Sequence, residues 1–101
     1  MITIPIPKKI QVAGFTYKIE QNGRAQHELQ RVSNYGDNQE FSLTMRIDGN
    51  LSSQLRSHTF VHEILHIIND TYNNHNMTEE AIHSMGHGLS QVLEQLGVRF
   101  G

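Results

Sequence analysis

The residues best suited to chemistry are His62, Glu63 and His66, a His-Glu-x-x-His core inside "TFVHEILHIIND". On a helix, positions i and i+4 lie one above the other on the same face. Two imidazoles so placed can reach one ion at about 2.0–2.1 Å and leave room for a further ligand and water. Glu63, beside the first histidine, is too constrained to join the same coordination but can sit over a water on the metal. Zinc lowers the pKa of such a water to about 7, and a carboxylate takes its proton as it attacks a carbonyl. The same acid can later protonate a leaving amine.

A pattern this short arises by chance in a chain of 101 residues with seven histidines, and "HELQR" from His27 to Arg31 is a near-miss within it. The surroundings therefore decide. Around His62, the residues Phe60, Val61, Ile64, Leu65, Ile67 and Ile68 fall within roughly 160° of a helical wheel and form one broad apolar face. His62 and His66 lie opposite the centre of that face, with Glu63 next to them. No such face surrounds "HELQR", and it is given no function.

A third ligand must come from elsewhere, and Glu79 and Glu80 open a second helix after a short connection. An antiparallel hairpin carries them back along the first helix. On the second helix Ile82, Met85, Leu89, Val92, Leu93 and Leu96 form an apolar stripe. Glu79 sits at its margin, while Glu80 points nearly opposite, so Glu79 is the better placed of the two. Both also suit a helix N-terminus, where negative charge is stabilised. His83, four residues after Glu79, is placed to steady that carboxylate. His58, one turn before His62, is a further polar neighbour, and Tyr72 could lend a hydroxyl to an oxyanion. His75 and His87 read as surface residues.

These residues need elements to hold them. The first helix runs from about Ser52 or Ser53, either of which can cap it, to about Thr71. The second runs from a Thr78 cap to about Leu96, and Gly97 is suited to close it in a left-handed conformation. Upstream, Ile2, Ile4 and Ile6 alternate between prolines, as in an edge strand. "IQVAGFTYKIE" reads as a tight hairpin about Ala13-Gly14. Glu20 to Asn38 reads mostly as loop, with a short strand near Leu29 to Val32. In "EFSLTMRID", Phe41, Leu43, Met45 and Ile47 alternate with polar residues as a strand, ended by the turn Asp48-Gly49-Asn50.

The composition sets bounds. At this length the chain is expected to form one domain, residues 1–101, with strands over 1–50 and a helical hairpin over 52–97. A formal charge of -2 with scattered Lys and Arg gives no nucleic-acid surface. The absence of cysteine excludes disulfides, thiolate zinc sites and cysteine nucleophiles. The first twelve residues do not read as a secretory signal, and no apolar run approaches the roughly 20 residues of a membrane span. A cytoplasmic protein is expected, with its oligomeric state left open.

The strand ending in "MRID", then "TFVHEILHIIND" and "MTEEAIHSMGHGLSQVLEQLG", resembles small phage and prophage zincin-like proteins. These are compact gluzincins related to ImmA/IrrE-type metallopeptidases and to minigluzincins. The likeness spans about Phe41 to Leu96, with a weaker echo in "VAGFTYKI". It implies an α+β fold, a small mostly antiparallel sheet packed on an active-site helix and a backing helix. It implies one Zn2+ held by His62, His66 and Glu79, with Glu63 as general base. It implies a peptide or protein substrate that pairs with the strand before the active helix, around Phe41 to Ile47. The chain lacks the second subdomain that walls the cleft of larger peptidases. A phage-encoded regulatory or binding module with a structural or vestigial zinc is therefore the alternative.

Overall fold

A computed structural model describes all residues, 1–101, and has an α+β architecture. Strand β1 (Ile2–Ile4) is followed by the hairpin of β2 (Lys9–Val12) and β3 (Phe15–Glu20). Ala13 and Gly14 at its tip have φ of 54° and 80°, the left-handed pair that a two-residue turn with native twist requires. Helix α1 (Arg24–Arg31) leads to β4 (Gly36–Gln39) and β5 (Thr44–Ile47), then to α2 (Ser53–Tyr72), α3 (Glu79–Gln95) and β6 (Val98–Phe100).

The main sheet has the order β2-β3-β5-β4. β2–β3 and β5–β4 pair antiparallel, whereas β3–β5 pair parallel, because α1 supplies the crossover. β1 and β6 form a separate parallel pair. Ile6, Tyr17, Ile19, Met45 and Ile47 meet Phe60 and Ile67 of α2 in the core. Phe100 of β6 tilts against Phe60 with ring centroids 5.2 Å apart, and its N–H donates to Ser57 Oγ at 2.9 Å. The C-terminal "VRFG" thus closes the sheet side of α2. No helix is long and apolar enough to cross a membrane.

Four expectations change. The segment read as loop with a short strand near Leu29 to Val32 contains α1 and β4 instead: "HELQR", Leu29 included, lies in α1, and Val32 caps it. Ala25 and Leu29, four apart, are buried, and this two-residue face suffices for a helix of two turns. The clear strand starts only at Thr44: Phe41 is fully exposed and Leu43 has φ of 48°, because the chain must turn there to return from β4. β5 lies between β3 and β4 and has no free edge; the edge strand on its side of the sheet is β4. Finally, the α3 stripe is not the packed face. Ile82, Gly86 and Ser90 are buried, while Met85, Leu89, Val92 and Leu96 are exposed. The helices come close at Gly86, where a Cβ would already touch His62 Cα at 3.6 Å and Leu65 Cδ1 at 3.5 Å, so a large side chain does not fit there. α3 lies against α2 through its small residues.

Candidate metal centre

The two helices that carry the site begin and end where their caps dictate. Ser52 Oγ accepts from Leu55 N, and Thr78 Oγ1 accepts from Ala81 N at 3.1 Å. Between them Asn69, buried near the end of α2, grips the connection. Its Oδ1 accepts from Met77 N at 2.9 Å and its Nδ2 donates to Met77 O at 3.2 Å. Asn74 and His75 take left-handed φ of 50° and 58° to make the turn. The register of α3 on α2 is set by this clasp and by Gly86. Counting about 100° per residue, Glu79 lies at the centre of the Ile82–Gly86–Ser90 face, which points it at α2.

The result is a group of three donors. His62 Nε2 and His66 Nε2 are 3.2 Å apart. Glu79 Oε2 lies 3.2 Å from His66 Nε2, and its Oε1 lies 3.6 Å from His62 Nε2. Two donors bound to one tetrahedral ion at 2.0–2.1 Å stand about 3.3 Å apart, so the spacing fits a shared ion. Of the acidic and imidazole residues, His62, His66 and Glu79 form the group that could hold a metal ion. Burial, and then the neighbouring His66, push the His62 imidazole below its ordinary pKa. Its neutral form is the one that ligates.

Glu63 is buried rather than set beside the histidines on an open face. It faces β4, where Asn38 Nδ2 donates to its Oε1 at 2.8 Å and to its backbone O at 3.2 Å. No protein donor reaches Oε2. Burial, then the charges of Asp37 and Glu79, raise the Glu63 carboxyl to about 8. β4 can approach this closely because residue 36 is glycine: a Cβ would come within 2.8 Å of Thr59 Cγ2 and of Arg46 O, and 3.4 Å from Glu63 Cγ. Arg46 fastens the strand from behind, with Nε 2.8 Å from Asp37 Oδ1 and NH1 2.8 Å from Glu28 Oε1 of α1.

These groups line a cleft of about 670 Å³ between β4 and the two helices. Its lining residues are mostly polar or charged in type: Leu55 is the one aliphatic side chain beyond the glycine and threonine, and no Lys or Arg contributes. His58 and His83 face it, and so does His87, read from sequence as a surface residue. His83 is not bonded to Glu79; its ring stands 6.0 Å from that of His62. Glu80 stays outside the donor group. Tyr72 lies away from the cleft, its hydroxyl accepting from Ala13 N at 2.8 Å in the β2–β3 turn; Tyr35 is the tyrosine on the cleft wall. Asn38 and Asn69 were missed because their roles depend on contacts 25 and 8 residues away. Only the run of asparagines after the motif (Asn69, Asn73, Asn74, Asn76) hinted at Asn69; nothing local pointed to Asn38.

Comparison of the chain with protein-family models, with curated proteins and with solved structures finds no match.

Proposed function

We propose that this protein is a zinc-dependent peptidase. The observation that carries the reading is the pairing of a three-donor group with a separately held carboxyl: His62, His66 and Glu79 converge, while Glu63 is buried one residue away on Asn38. A structural zinc site needs no such acid. The likeness of "TFVHEILHIIND" and "MTEEAI" to small zincin-like proteins points the same way.

His62, His66 and Glu79 would hold the ion, which when bound supplies a Lewis acid for a carbonyl and an acidified water. Asn38 holds Oε1 of Glu63, which leaves Oε2 to take the proton of the attacking water and return it to the departing amine. The carboxyl is neutral at pH 7 when only burial and like charges act on it, and a cation within a few ångströms favours the carboxylate that a base requires. The outer edge of β4 borders the cleft, and an extended peptide laid along it gains main-chain hydrogen bonds. β4 takes the substrate role expected of the strand around Phe41 to Ile47.

One observation favours a second reading, a binding module with a structural or vestigial metal. The Glu79 side chain is 71% exposed, and only Tyr35 and Leu55 offer large apolar side chains to a substrate in the cleft. Peptide-library cleavage by the zinc-loaded protein, measured beside Glu63→Gln, decides between them. Cleavage that the variant loses while keeping its zinc supports the peptidase. One bound zinc without any Glu63-dependent cleavage supports the module.

A further inference from the structure

The cleft continues past the donor group toward the N-terminal end of α2, and histidine lines it there too. His58 lies one turn before His62, and His83 and His87 occupy successive turns of α3. The His58 ring meets His87 edge-on with centroids 5.2 Å apart, and His83 at 6.5 Å. For scale, His62 and His66, whose Nε2 atoms converge, have centroids 4.8 Å apart. Two imidazoles on one tetrahedral ion place their ring centres about 5 Å apart, given nitrogen–metal distances of about 2.0–2.1 Å. His58 and His87 already stand at that separation. His83 stands further off, 6.5 Å from His58 and 6.0 Å from His62 between ring centroids, and joins the pair through a change of rotamer of its exposed side chain.

The chemistry around the trio suits a cation. None of the three rings makes a hydrogen bond to the protein, so no ring nitrogen need give up a partner to bind. No Lys or Arg lines the cleft, while Asp37 and Glu40 do. His83 and His87 share the i, i+4 spacing of His62 and His66 on one helix face, with His58 supplied from the facing helix.

We propose that His58, His83 and His87 form a second site for a divalent transition-metal ion, zinc, nickel or copper, beside the His62–His66–Glu79 group. These are the ions that imidazole ligands favour. The site binds more weakly than the first because it has no carboxylate and two of its ligands are exposed. It does not depend on peptidase activity. If the first group serves catalysis, zinc in excess fills the neighbouring stretch of cleft and inhibits.

Calorimetric titration of the metal-free full chain with Zn2+ tests this. The wild type takes up two equivalents, the second more weakly. His58→Ala and His87→Ala each weaken the second event by on the order of tenfold or more and leave the first as it was. His66→Gln, or Glu79→Gln if that protein does not fold, removes the first event and keeps the second, so the two sites stand or fall separately. Saturation of the wild type at one equivalent overturns the proposal. So does a second event unchanged in His58→Ala, which would reduce the site to a surface pair on α3 alone.

Discussion

Helices α2 and α3 lie side by side, yet they obey their sequences differently. α2 buries part of the apolar face its pattern marks out, Phe60, Val61 and Ile67, and adds Glu63 and Asn69 to it. α3 turns Met85, Leu89, Val92 and Leu96 to solvent and buries Ile82, Gly86 and Ser90. The apolar pattern says which side chains gain by burial. It does not say which helix face lets two backbones come close, and that is decided by small side chains. α2 carries His62, Glu63 and His66; α3 brings Glu79 to the two histidines across a face that is thin at Gly86.

The largest effect should separate the two glutamates at the start of α3. Glu79→Ala is expected to weaken zinc binding by on the order of a hundredfold or more, beyond the loss typical of a residue that only supports a ligand. Glu80→Ala should leave it unchanged. Isothermal titration measures both, and the reverse order would mean that α3 presents another face.

The buried acid on α2 gives the next effect. In the metal-free protein the Glu63 carboxyl titrates near 8 in the fold and near 4.5 in the unfolded chain. Between those values the fold holds a proton that the unfolded chain has released, so stability falls as pH rises through the window and levels off above it. Glu63→Gln carries no such proton. Its advantage over wild type should grow from nothing at pH 4 to on the order of 5 kcal/mol above pH 8. Urea denaturation of zinc-free protein across pH reads this directly, and parallel curves would show that the carboxyl is not buried.

Gly86 sharpens the contrast at the helix contact. Gly86→Leu forces α3 off α2 and should cost about 1–3 kcal/mol, the usual range for overpacking, with weaker zinc binding because Glu79 moves too. Gly86→Ala makes only ordinary contacts at 3.5 and 3.6 Å and improves helix propensity, so it should be neutral or stabilising by up to about 1 kcal/mol. The smallest change is expected on the exposed stripe. Met85→Gln and Val92→Gln should each shift stability by no more than about 0.5 kcal/mol in thermal melts. A cost of several kcal/mol would put the stripe back in the core.

The same contrast accounts for what the sequence discloses. The Ser52 and Thr78 caps, Gly97 and the Ala13-Gly14 turn act through neighbours a few residues away, and each is where its residue type suggests. The His62, His66 and Glu79 convergence was legible because helix spacing and a short connection nearly determine it. β4, "GDNQ", was not. It has no apolar alternation, since its side chains serve α2, Arg46 and the cleft, and Gly36 marks a close approach to Thr59 that only the fold reveals. α1 was hidden by having just Ala25 and Leu29 to bury. His87 looked like a surface residue because it is exposed; its cleft position depends on which face α3 turns inward, the point on which apolar periodicity misled.

The most direct test is a crystal of the zinc-loaded protein measured at the zinc absorption edge. The account expects one strong anomalous peak about 2.0–2.1 Å from His62 Nε2, His66 Nε2 and a Glu79 carboxylate oxygen, with Glu63 beside it and outside the coordination. A fully loaded crystal with no peak between His62 and His66, or a peak ligated by Glu63 or Glu80 in place of Glu79, would contradict it.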